Sequence, residues 1–132
     1  MVGFDTGFFL RLVRGHPRAG DVWLPVAAGE QRAVVSCVSF FELDRLALRG
    51  ALDRRSADGL LEDIPALCTV VWLGPADGPD RLRRAARLAH RTGLSMADAL
   101  ILSALLDAGA ETVYTTDADA ERAGGSVRIV VL

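Results

Sequence analysis

The chain has 132 residues, a length suited to one domain around one core. With 51% apolar residues and a net charge of −2, it is neither a disordered polymer nor a basic coat for nucleic acid. That charge does not exclude a nuclease, because bound metal ions supply positive charge locally.

The first run, Val2-Gly3-Phe4-Asp5, reads as a strand over 2–5 ended by an acid. A helical stretch over 7–14 follows, so Asp5 also stands where a helix N-cap would. Residues 18–29 are helix-like, but Pro25 would kink or split them. A second strand is expected over 33–38 and a helix over 40–49, stopped by Gly50. Ser39 and Glu42 there have the spacing of a capping box. The next helix, 56–64, ends before Pro65, and a third strand covers 69–73. The segment from Gly74 to Pro79 reads as a loop, not a domain boundary. Helices over 79–92 and 96–108 stop at Gly93 and Gly109. Ser95 and Asp98 repeat the capping-box spacing in a helix that is apolar nearly all round. Asp98 is therefore expected to be buried, and no basic residue lies between Thr92 and Asp107 to pair with it. Strands over 112–116 and 127–131 finish the chain, with Asp117 and Asp119 in a stretch that also reads as a polar turn.

Short strands alternating with helices imply an α/β fold. Its form would be three-layered, helices covering both faces of a central, mostly parallel, five-stranded sheet, in a single domain spanning 1–132. Such a fold places strand ends and the following helix starts along one edge, where ligands bind. Asp5, Glu42, Asp98 and Asp117 would all reach that edge. Each alone is explained by a cap or a turn; those explanations leave their convergence unaccounted for. Four carboxylates in a partly dry site repel one another, and a divalent cation relieves that repulsion.

All fifteen basic residues are arginine and none is lysine, which fits a biased genome as well as phosphate contact. Arg45 and Arg49 share a helix stripe with Glu42, either pairing with it or lining a route for a phosphate backbone. His16 and His90 lack spacing to a nucleophile or metal ligand. Cys37 and Cys68 lie in or beside strand runs and read as reduced thiols. If strands 33–38 and 69–73 are parallel neighbours, the two thiols lie at opposite sheet edges, beyond disulfide reach. No signal peptide or membrane-length apolar run is evident, so a cytoplasmic location is expected.

Phe4-Asp5-Thr6, Ser39-Phe-Phe-Glu42-Leu43, Leu94-Ser-Met-Ala-Asp98-Ala-Leu-Ile101 and Val113-Tyr-Thr115-Thr-Asp117-Ala-Asp119 together resemble the PIN-domain family. The likeness is greatest to the VapC-type toxin ribonucleases of bacterial toxin–antitoxin pairs, and it covers nearly the whole chain. It implies a Mg²⁺- or Mn²⁺-dependent endoribonuclease in which Asp5, Glu42, Asp98 and Asp117 form the catalytic metal site. Asp119 would be an outer ligand, with Thr6 and Thr115 as hydroxyl supports. It implies RNA as substrate, a VapB-type antitoxin partner and a homodimer. Ala120 departs from the pattern, since family members often carry an aromatic there, and this leaves open whether Asp117 or Asp119 is the closer ligand. Phe8, Phe9, Trp23 and Trp72 are large groups near element ends, suited either to partner contact or to the core. Two other readings remain: a PIN-like binding module without activity, and another acidic-site, phosphate-handling α/β protein. Receiver domains and haloacid-dehalogenase-type phosphatases use a lysine that this chain lacks.

Overall fold

The computed structural model describes residues 1–75 and 78–132. Its five strands are β1 (Val2–Phe4), β2 (Ala33–Ser36), β3 (Thr69–Val71), β4 (Thr112–Thr115) and β5 (Arg128–Val131). Its six α-helices are α1 (Thr6–Val13), α2 (Pro17–Ala27), α3 (Val38–Leu48), α4 (Arg54–Leu67), α5 (Asp80–Thr92) and α6 (Met96–Asp107). A 3-10 helix, Ala118–Ala123, follows β4. The strands form one sheet in the order β3-β2-β1-β4-β5, and every pairing is parallel. The expected three-layer α/β architecture is therefore present.

Alternation along the strands divides the interior into two cores. Phe4, Val35 and Ala33 face one way and pack with Phe8, Phe9, Leu43 and Ile64 from α1, α3 and α4. Val34 and Val113 face the other way, against Leu88 of α5 and Ile101 and Leu105 of α6. Phe4 stacks on Phe8, ring centroids 3.9 Å apart, and meets Phe9 edge-on at 5.8 Å. Phe8 and Phe9 are thus core residues. Trp23 packs against the same cluster, whereas Trp72 is 62% exposed and leans on Phe40.

Two helix ends differ from the sequence expectation. Pro25 does not split α2, and α4 runs past Pro65 to Leu67. Both prolines lie in a last turn, where a missing N–H removes one hydrogen bond and the fixed φ still suits a helix. After Pro65 the ladder resumes, Cys68 N donating to Ile64 O at 2.8 Å. The expected loop from 74 to 79 includes residues 76 and 77, which lie outside the described residues.

The cysteines behave as expected. Both are free, and burial pushes the Cys68 thiol up to about 11. The register pairs Val34 with Thr69 and Ser36 with Val71. Cys37 and Cys68 then stand four residues apart along parallel neighbours, about 13 Å at strand rise. Among the described residues, no helix is long and apolar enough to cross a membrane.

Candidate active site

The strand order reverses beside β1. From β1 the chain steps to β2 and β3 on one side, then returns to β4 and β5 on the other. Crossovers diverge at such a point and leave a crevice at the carboxyl edge. Asp5 follows β1 and Asp117 follows β4, one on each side of it. α6 leads into β4, so its N-terminus, carrying Asp98, lies at the same edge. Glu42 arrives from the second turn of α3. One cleft is lined by Asp5, Thr6, Glu42, Asp98 and Asp117, with Leu10 and Leu46 on its wall. A smaller pocket continues inward from Asp5, Asp98 and Asp117 between Leu94, Ile101 and Val113.

Each acid is tied to local donors. Asp5 caps α1, its Oδ1 accepting from Phe8 N at 2.8 Å, and its Oδ2 accepts a short bond from the Thr115 hydroxyl. Thr115 in turn accepts from Asp117 N at 3.0 Å, so one buried hydroxyl links the acids after β1 and β4. Burial pushes the Asp5 carboxyl up from 3.8 to about 6; the bonds from Thr115 and Phe8 oppose that rise, and the charge of Asp98 adds to it.

Glu42 accepts from Thr6 Oγ1 at 2.7 Å, and Thr6 Oγ1 also lies 3.1 Å from Ser39 Oγ. This settles two questions at α3. Its helix begins at Val38, and Ser36 Oγ accepts from Val38 N, so Ser39 lies inside the helix, fully buried, and caps nothing. Glu42 takes the Thr6 hydroxyl, while Arg45 on the same stripe stays exposed.

Asp98 is half-buried, not enclosed as the apolar sequence of its helix suggests. Ser95 does cap α6: its hydroxyl accepts from Asp98 N at 3.2 Å and lies 2.8 Å from Asp98 Oδ2. Asp117 caps the 3-10 helix, accepting from Asp119 N at 2.9 Å. Asp119 pairs with Arg122 at 3.0 Å and does not line the cleft. Ala120 is buried in the second core, in the position expected to hold an aromatic.

Gly7 sets how near α1 comes to the β4 turn. A Cβ there would stand 2.0 Å from Thr116 Oγ1 and 2.9 Å from both Thr116 carbons. Nothing in the sequence marks Gly7 and Thr116 as partners. Tight helix–turn contact between residues more than a hundred positions apart has no local signature.

The donor set is all carboxylate oxygen, the chemistry that Mg²⁺ and Mn²⁺ prefer, and Asp5 and Asp98 repel each other across the cleft. Among the described residues, no three Asp, Glu, His or Cys side chains converge closely enough to hold an ion as they stand. The acids share a cleft but turn toward Phe8, Thr6, Ser95 and Asp119 N. Holding an ion in common would require the acids to draw closer than they stand.

A wholly parallel sheet with a carboxylate-lined cleft at its switch point defines a doubly wound α/β protein with an acidic site. The chain belongs to the PIN-domain family, whose model, described as PIN domain, matches residues 3–126. The fold is shared with several solved structures. One is the Mycobacterium tuberculosis toxin VapC20, which cleaves the sarcin–ricin loop: TM-score 0.71, 22% identity, 97% of this chain and 99% of that one covered. A second is VapBC2 from Rickettsia felis bound to a promoter DNA fragment: TM-score 0.69, 14% identity, 99% and 98% covered. A third is a toxin–antitoxin complex from Klebsiella pneumoniae: TM-score 0.67, 19% identity, 99% and 97% covered. At these identities the likeness is one of fold. No curated protein matches the chain in sequence.

Proposed function

We propose that this protein is a Mg²⁺- or Mn²⁺-dependent endoribonuclease, the toxin of a toxin–antitoxin pair, acting as a single domain over residues 1–132. The observation that carries this reading is the cleft shared by Asp5, Glu42, Asp98 and Asp117 in a chain of the PIN family. These four acids are the proposed metal and catalytic residues. Asp119 is at most an outer ligand, since Arg122 engages it. A divalent cation at such a site would lower the pKa of water and offset charge on the phosphodiester. The chain's own part is to hold the acids in place. Thr115 bridges the turns bearing Asp5 and Asp117, and Thr6 orients Glu42 from the start of α1. Leu10 and Leu46 give the otherwise polar cleft an apolar stretch of wall. Exposed Arg45 and Arg49 follow Glu42 along α3 and would meet an RNA backbone entering there.

A VapB-type antitoxin is the proposed protein partner, since related folds are solved as VapBC and other toxin–antitoxin complexes. A homodimer in the cytoplasm completes the reading. Exposed Leu82, Met96, Phe41 and Leu48 support a protein contact of some kind.

The test is cleavage of mixed RNA. The wild type should cut with Mg²⁺ or Mn²⁺, stop with EDTA, and resume when Mn²⁺ is restored. Asp5→Ala, Asp98→Ala and the double variant should each lie near background, because groups that act as a unit are not additive. Cleavage that persists in EDTA, or full activity in Asp98→Ala, would sink the proposal. Metal binding without any cleavage would favour a PIN-like binding module instead.

A further inference from the structure

The sheet is not alone in setting the distance between Asp98 and Asp117. Asp98 lies in the first turn of α6, just beyond the turn that joins it to α5, and Asp117 lies in the turn after β4. Two arginines join these turns, crossing in opposite directions. Arg122 Nη1 donates to Thr92 O at 3.1 Å and pairs with Asp119 Oδ1 at 3.0 Å. Arg91 Nη2 donates to Ala123 O at 3.1 Å.

The surface that receives Arg122 is built firmly. Thr92 is 1% exposed; its Oγ1 donates to Leu88 O at 2.7 Å and accepts from Leu94 N at 3.2 Å. Gly93 follows with φ +83°, and Arg122 Nη1 lies 3.6 Å from where a Cβ on it would stand. The Arg122 side chain is itself 64% exposed. Ion pairs of that exposure contribute little to folding, so stability does not account for the arrangement. Its location does, because Ser95 and Asp98 follow directly from the anchored turn and Asp117 precedes the clamped 3-10 helix.

We propose that Arg122 is a positioning residue: it clamps the Asp117 turn onto the Asp98 turn and holds Asp119 outside the cleft. This rests on the metal-dependent reading above. The clamp fixes the gap across which Asp98 and Asp117 would share a cation, so its loss weakens metal binding before it affects anything else.

Mn²⁺ titration followed by the electron paramagnetic resonance of the free ion tests this on wild type, Arg122→Ala, Arg122→Lys and Arg87→Ala. Arg122→Ala should bind Mn²⁺ about tenfold more weakly, the range for residues that orient ligands. Its RNA cleavage should recover when Mn²⁺ is raised in proportion, and its metal-free melting temperature should stay near that of wild type. Arg122→Lys, which keeps the charge but not the planar fork, should recover part of the affinity; it also serves if Arg122→Ala does not fold. Arg87→Ala removes the same charge from the exposed face of α5 and should bind as wild type does. Equal Mn²⁺ affinity in wild type and Arg122→Ala overturns the clamp and leaves the metal site standing. An equal loss in Arg87→Ala overturns it as a general charge effect. A wild type that binds no Mn²⁺ removes both the clamp and the metal-dependent reading.

Discussion

Asp5 serves two purposes that conflict. As the cap of α1 it accepts Phe8 N, and as a partly buried acid beside Asp98 it resists ionisation up to about pH 6. The unfolded carboxyl releases its proton near 3.8, so between those values the folded state binds the extra proton. The contribution of Asp5 to metal-free stability is therefore full below pH 4 and is lost as pH rises through 6. Two pKa units bound that loss at about 3 kcal/mol. Denaturant midpoints at pH 5 and 7.5 should differ less in Asp5→Asn than in wild type; equal differences would show that Asp5 does not cause the decline. Cation binding needs the ionised acid, so Mn²⁺ affinity should rise over the same interval. Gly7→Ala gives a second residue-scale test. Helix propensity favours alanine by up to about 1 kcal/mol, while overpacking against Thr116 costs about 1–3 kcal/mol. A net loss is expected, and Thr116→Gly in the same chain should recover much of it; strictly additive losses would deny the contact. At this scale Asp5 and Asp117 were legible because each closes an apolar run, and Glu42 and Asp98 because each stands three residues after a serine. Gly7, Thr116 and Arg122 were not, since their partners are distant along the chain and their residue types are ordinary.

Among the elements, every expected strand and helix exists, and the errors fall at the ends. Ser39 was misplaced because its spacing to Glu42 imitates a capping box, while the hydroxyl that meets Val38 N is that of Ser36, three residues earlier. α4 runs past Pro65 because a proline in a last turn removes one hydrogen bond without ending the helix there. The 3-10 helix after β4, two turns long, lies where the sequence also offers a polar turn, which it resembles in composition. At α6 the expected cap is present, since Ser95 meets Asp98 N, but Asp98 takes the Ser95 hydroxyl in place of the backbone N–H that a capping box would engage. Ser95→Ala should therefore lower metal-free stability by about 1 kcal/mol in thermal melts. The Mn²⁺-induced rise in melting temperature should survive, since Asp98 is then released from a competing donor. A melt unchanged by the substitution would mean the cap contributes nothing.

For the whole molecule, the metal and the partner chain give the predictions. Millimolar Mn²⁺ should raise the melting temperature by binding only the folded state. Asp98→Asn should shrink that rise and also stabilise the metal-free protein, because a charge facing Asp5 is removed; a wild-type melt indifferent to Mn²⁺ would count heavily against the site. Light scattering should report twice 14.1 kDa at high concentration, and a strict monomer would end the homodimer proposal. The sheet order has a consequence for synthesis. β1 leaves the ribosome before the other four strands, yet one of its two neighbours is β4, made more than a hundred residues later. Until then β1 has an open edge, and the cleft lacks Asp117. A nascent or truncated chain ending before residue 98 would hold only Asp5 and Glu42 of the proposed four. On the proposed function, no working nuclease exists until Asp117 has been made, more than a hundred residues after Asp5, and a neutralising partner has that interval in which to accumulate.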